Sequence, residues 1–246
     1  VKIMEFRIFF PVLDDTDNEW LSEEERNSYE KAIQKLEIID GGKEERKDEY
    51  IIGLPYYGLK FRHGSKLEIK ILTHRSKLGA ERWEKKKFGK KSISHYKSDI
   101  LELLASKGFA DDAEINLKDI ENTAVVSVDK ARKNKMLGSI VNELCFEHCH
   151  ISLSHDASTS RKKWLSIAIE GSESTIEEFI TSNKPMWDSL NILHSIIEKY
   201  PDVCFDKHFA PVVAGYPLFV RFITNNFTKE EFSRNLVEHL HILIEK

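Results

Sequence analysis

Four stretches of this chain set charged residues two positions apart: Glu5 and Arg7, Lys60 and Arg62, Glu68 and Lys70, and Lys130 and Arg132. On a β-strand, residues i and i+2 project to the same face, so each pair presents both charges on one side. Cations held close together cost free energy unless an anion neutralises them, and buried charges are expected to be paired or to hold a metal. If the strands carrying these pairs close into a barrel with the charged face inward, cations from opposing walls converge. A polyphosphate carrying a divalent ion meets both requirements. Taken singly, each of these residues reads more simply as one half of a surface ion pair worth ~0–1 kcal/mol on a solvated sheet face.

Alternation of apolar and polar residues supplies the strands. In Lys2–Phe10, Met4, Phe6, Ile8 and Phe10 fall on one face and Glu5, Arg7 and Phe9 on the other. Tyr57, Leu59 and Phe61 back Lys60 and Arg62 in Tyr56–Arg62, and Leu67, Ile69 and Ile71 back Glu68 and Lys70 in Lys66–Leu72. His63-Gly64-Ser65 suits a hairpin turn between those two. Glu81, Trp83 and Lys85 share a face in Ala80–Lys87. The second half adds Thr123–Arg132, Asn142–Leu153 and Trp164–Glu170, where Glu143, Cys145 and Glu147 oppose Leu144 and Phe146. Helices are expected over Glu19–Ile38, Ser94–Lys107, Ser174–Thr181, Pro185–Tyr200 and Lys229–Lys246, the last opened by a capping-box-like Thr228-Lys229-Glu230-Glu231. Gly41–Asp48, Gly-Gly followed by a charge run, reads as a linker, and Leu153–Lys163 as a hairpin loop. Phe205–Phe227, apolar but broken by Pro211, Gly215 and Pro217, reads either as a short helix or as a partner-facing surface.

The pattern is α+β around an antiparallel sheet, and 246 residues suffice for one domain of barrel size. A net charge of −4 argues against a general nucleic-acid binder, yet Lys60–Lys91 is strongly basic while Asp14–Glu30 and Glu44–Glu49 are acidic, which permits a local anion site. No apolar run approaches the roughly 18 residues needed to span a bilayer, and Val1–Pro11 lacks a signal-peptide core, so a cytoplasmic or nuclear location and no membrane partner are expected. Three cysteines, Cys145, Cys149 and Cys204, do not suggest a disulfide framework. Cys145, His148, Cys149 and His150 include zinc-ligand types, but one strand sends the cysteines and those histidines to opposite faces.

The ordered set Glu5-x-Arg7, Gly58-Leu59-Lys60-Phe61-Arg62, Leu67-Glu68-Ile69-Lys70, Lys130-x-Arg132 and Ile169-Glu170 resembles the CYTH superfamily, the triphosphate tunnel metalloenzymes, over residues 1–180. That resemblance implies an eight-stranded antiparallel tunnel barrel with flanking helices, followed by a C-terminal helical extension, residues 181–246, packed on the same domain. It also implies metal-dependent hydrolysis of a triphosphate-containing small molecule: inorganic tripolyphosphate, thiamine triphosphate or a nucleotide. By the same resemblance, Arg7, Lys60, Arg62, Lys70, Lys85, Lys130 and Arg132 contact phosphate; Glu5, Glu170 and one of Glu143 or Glu147 hold Mg²⁺ or Mn²⁺; and Glu68 and Glu81 ligate the metal, orient a lysine or activate water. The family opens with Glu-x-Glu-x-Lys, whereas this chain has Glu5-x-Arg7-x-Phe9, and its late Glu-x-Glu is reduced to Ala168-x-Glu170. Those departures favour, as the alternative, a polyanion-binding or protein-interaction protein without catalysis on the same scaffold.

Overall fold

A computed structural model describes residues 3–14, 17, 19–36, 42–53, 56–62, 66–89, 92–110, 126–137, 144–154, 163–206, 209, 211–223 and 229–232. Eight antiparallel strands form a closed barrel: β1 (Met4–Pro11), β2 (Gly42–Gly53), β3 (Tyr57–Arg62), β4 (Lys66–Arg75), β5 (Glu81–Lys87), β6 (Val126–Leu137), β7 (Leu144–Ser154) and β8 (Lys163–Gly171). The order round the wall is β5-β4-β3-β2-β6-β7-β8-β1, and β1 closes on β5 at Glu5↔Glu81. A two-residue β9 (Val212–Val213) adds to β1. The helices are α1 (Glu23–Leu36), α2 (Ile93–Ala105), α3 (Glu173–Ser182), α4 (Lys184–Lys199), α5 (Pro201–Asp206), α6 (Tyr216–Ile223) and the short α7 (Lys229–Phe232).

The apolar faces of β1, β3, β4 and β8 point outward to helices, so along these strands the barrel is turned inside out relative to a greasy-cored sheet. Met4, Phe6, Ile8 and Phe10 of β1 join Leu165, Ile167 and Ile169 of β8 in a buried cluster with Ile33 and Leu36 of α1, Ile176 and Ile180 of α3, and Leu190 and Leu193 of α4. A second cluster sets Leu59, Leu67, Ile69 and Ile71 against Ile93, Ile100 and Leu104 of α2. Burying each such side chain contributes ~1.5–3 kcal/mol, which fixes the facing of these strands and sends their polar residues inward. Local signals start the helices. Ser22 and Glu25 bond reciprocally before α1, Ser172 accepts from the Thr175 N–H, and Asn183 accepts from the Met186 N–H.

Gly42–Gly53 is a full wall strand, not a linker, and supplies the eighth strand. Its inward residues Glu44, Arg46 and Asp48 and its outward residues Glu45, Lys47 and Glu49 are all polar, so no alternation marked it. The undecided stretch near residue 215 forms β9 and α6, and Phe219 is fully buried. Of the expected helix over 229–246, the first four residues are described, and the rest, like the 63–65 turn and Glu143, lie outside the described residues. Among the described residues no helix is long and apolar enough to cross a membrane.

A charged cup with a stoppered base

The barrel has unlike ends. At one, Phe9, Tyr50, Ile151 and Trp164 are buried inward-facing residues, and α6 packs among them. Phe219 stacks on Phe9 at 3.8 Å and meets Trp164 edge-on at 5.2 Å, while Tyr216 lies 5.1 Å from Phe9 and 5.9 Å from Tyr50. Glu81 ties this stopper to the wall: its Oε2 accepts from the Gly215 N–H at 2.7 Å and from Trp83 Nε1 at 2.9 Å, and its Oε1 pairs with Arg75. Burial pushes the Glu81 carboxyl up despite Arg75. A Cβ at residue 215 would lie 2.7 Å from Trp83 and 2.8 Å from Glu81, so glycine permits this close approach. The interior is therefore a cup that opens at the other end, where Lys66, Lys85 and Lys87 are exposed.

Two buried ion clusters hold the middle. Arg7, only 4% exposed, donates from Nε to Glu5 Oε1 at 2.8 Å and from Nη1 to Glu147 Oε1 at 2.7 Å and Ser166 Oγ at 2.6 Å. The other oxygens of those carboxylates are also claimed: Glu5 Oε2 lies 3.7 Å from Lys70 Nζ, and Glu147 Oε2 pairs with Arg132. Burial raises the Glu5 carboxyl, but Lys70 and Arg7 outweigh it and hold it well below the carboxylate range. Burial likewise opposes ionisation of Glu147, which Arg7 and Arg132 nevertheless bring down to about 2. Burial alone would lower the Arg7 guanidinium; the two carboxylates raise it.

The second cluster centres on Asp48, which is fully buried and was not foreseen. Its Oδ2 accepts from Lys130 Nζ at 2.7 Å and Lys60 Nζ at 3.0 Å, with Arg46 at 3.3 Å. Lys130 also sits 3.3 Å from the centroid of the Tyr216 ring, close enough for a cation–π contact. Three cations share this carboxylate, and Lys60 has a second one, Glu68, at 3.5 Å. Burial, then Lys60, push the Lys130 ammonium well below its usual value, and burial brings Lys60 down to about 8 although Asp48 opposes it. Asp48 itself is held low, because Lys130, Lys60 and Arg46 overcome the cost of burial.

The third feature is a basic wall on β3, β4 and β5. Register places Arg62 beside Lys66, Lys70 beside Lys85, and Glu68 between Lys60 and Lys87. Arg62, Lys66, Lys85 and Lys87 form no ion pair with a described residue, whereas Lys60 is tied to Asp48 and Lys70 to Glu5. The Lys85 charge acts on Glu5, Glu68 and Lys70, as its inward position requires. Glu68 is buried, and its Oε1 lies 3.5 Å from Lys60 without accepting a hydrogen bond.

The fold thus brings Glu5, Arg7, Lys60, Arg62, Glu68, Lys70, Lys85, Lys130, Arg132, Glu147 and Glu170 to the interior, with Glu170 beside Glu5 and Cys145 at the open mouth. Glu81 is inward too, but its oxygens are engaged in holding the stopper. Glu5 and Glu147 do not fit a divalent ion as they stand: a guanidinium bridges them, and among the described residues no group of three His, Cys, Asp or Glu side chains is placed to hold a metal. Cys149 is buried inside and His150 exposed outside, which separates the zinc-ligand types. Asp48, Arg46 and Tyr216 escaped the sequence reading. The period-2 run Glu44, Arg46, Asp48, Tyr50 was the available signal for the first two.

No protein-family model matches this chain, and no curated protein matches it significantly. Among solved structures, a Bacillus halodurans protein named as a "putative adenylate cyclase" is similar at 10% identity and a TM-score of 0.34, over 82% of this chain and 92% of that one. A conserved hypothetical protein from Pyrococcus furiosus is similar at 13% identity and a TM-score of 0.32, over 76% of this chain and 89% of that one. Likenesses this weak assign neither substrate nor reaction.

Proposed function

We propose that the cup binds a compact polyanion, a triphosphate-containing small molecule, against the basic wall of β3, β4 and β5. One observation carries this reading: Arg62, Lys66, Lys85 and Lys87 face the open mouth from three adjacent strands without an ion-pair partner among the described residues. Cations grouped in this way repel one another, and an anion with several oxygens relieves the repulsion at several of them together. Arg62 supplies a planar fork suited to two phosphate oxygens, and the lysines supply adaptable point charges. The closed base limits how far a ligand can enter, which favours a short phosphate chain over a threaded polymer. The resemblance to the CYTH superfamily agrees with this reading.

Hydrolysis of the bound anion is the second reading, favoured by Glu68. Its Oε1 accepts no hydrogen bond from a described residue and stands within the basic wall, where a carboxylate can orient water. Tripolyphosphate, thiamine triphosphate and ATP are the ligands to test, by thermal shift and by phosphate release with Mg²⁺, Mn²⁺ or chelator. Binding predicts a rise in melting temperature that Lys85→Glu removes and that Lys31→Glu, on the exposed face of α1, leaves intact. No shift with any of the three ligands rejects the binding reading. Turnover abolished by Glu68→Gln establishes the hydrolytic one.

A further inference from the structure

Arg7 stands between two buried carboxylates, Glu5 and Glu147. We infer that its guanidinium is the barrel's resident cation, replacing a divalent ion between Glu5 and Glu147, so that anion binding in the cup is metal-independent. This goes beyond the proposed function and rests on it only for the identity of the anion. The two carboxylates come from strands separated by β8, and both aim at one point inside the barrel. Paired buried carboxylates of this kind repel each other and require a cation between them. Arg7 meets the requirement with separate N–H groups, Nε to Glu5 at 2.8 Å and Nη1 to Glu147 at 2.7 Å, while Ser166 Oγ accepts a further bond at 2.6 Å.

Geometry and charge both exclude a second cation there. A magnesium ion takes hard oxygen ligands at about 2.0–2.1 Å in near-octahedral array. Here Lys70 and Arg132 engage the carboxylate oxygens that Arg7 leaves. Arg7, Lys70 and Arg132 face Glu5 and Glu147, and Arg132 also pairs with Glu44 at 3.1 Å, so the charges of the cluster already balance and a divalent ion would add two that nothing compensates. The aromatic stopper pins the guanidinium, whose carbon lies 4.7 Å from the Tyr216 centroid and 5.9 Å from that of Phe9. Unlike a bound ion, this cation cannot dissociate. Its charge is a permanent part of the cup, fixed by Glu5, Glu147 and Ser166.

The test is Mn²⁺ binding, followed by electron paramagnetic resonance and by melting temperature, in the wild-type chain, Arg7→Ala, Glu5→Gln and Glu147→Gln, alongside tripolyphosphate calorimetry with Mg²⁺ or with EDTA. The inference expects no Mn²⁺ bound at the pair in the wild type, and Mn²⁺ binding with a raised melting temperature in Arg7→Ala as the freed carboxylates capture the ion. It also expects tripolyphosphate affinity to change less than twofold on adding EDTA. Wild-type Mn²⁺ binding that disappears in Glu5→Gln or Glu147→Gln overturns it, as does tripolyphosphate binding lost in EDTA. The wild-type Mn²⁺ arm decides the matter if Arg7→Ala does not fold. If no triphosphate binds at all, the proposed function fails, while the Mn²⁺ measurements still decide whether Arg7 holds the metal's place.

Discussion

The two halves of the barrel interior carry the same residue types and treat them differently. On the arc from β2 through β6, β7 and β8 to β1, every inward cation that is buried has a carboxylate: Arg7 has Glu5 and Glu147, and Lys130 has Asp48. On the arc of β3, β4 and β5, four cations near the mouth have none among the described residues. The first arc lies under the aromatic stopper, where an unpaired charge is prohibitively desolvated, and the second opens to water, where it is tolerated. Charge type alone therefore does not mark a binding residue. The absence of a partner, together with access, does.

Removing compensation from the paired arc should have the largest effect. Asp48→Asn leaves Lys60, Lys130 and Arg46 without their shared anion and should cost about 4 kcal/mol of stability in urea denaturation. Adding Lys130→Met should recover part of that loss, and the double-mutant cycle measures the coupling. A loss below about 1 kcal/mol would mean that the lysines are neutral and the cluster is not ionic.

Acid tests the same arc. Glu147 is held at about 2 against an ordinary 4.5, so its contribution is complete above pH 4.5 and is lost as pH falls through 2. That shift corresponds to roughly 3 kcal/mol, and Glu147→Gln should flatten stability against pH over this window. Lys60, lowered from 10.5 to about 8, gives a slope of the same sign in an alkaline window. Between pH 8 and 10.5 the unfolded chain binds the extra proton, so this group's contribution to stability rises with pH there, and Lys60→Met should remove the slope.

The stopper offers a smaller effect. Gly215→Ala forces a methyl against Trp83 and Glu81 and should cost about 2 kcal/mol in denaturant melts. Smallest of all should be Lys85→Glu on the open arc, within about 0.5 kcal/mol of wild type in the absence of ligand. That substitution should nevertheless abolish stabilisation by triphosphate. A large intrinsic stability change at Lys85 with unaltered ligand response would erase the distinction between the arcs.

Much of this arrangement was legible in the residue order. Alternation in β1, β3, β4 and β7 assigned Arg7, Lys60, Arg62, Lys70 and Glu147 to the polar faces, because one apolar face per strand must be buried and a period of two leaves no other choice. It failed for β2, whose charged residues alternate with other charged residues, and with that strand went Arg46 and Asp48. Nor could it place Tyr216, which reaches the interior from a helix 166 positions after Tyr50, the ring it stacks upon. The chain's own pattern thus determined which side chains face inward. Only closure of the barrel decided which of them meet, because pairing depends on register and on distance across the lumen, and neither is encoded in the spacing along a single strand.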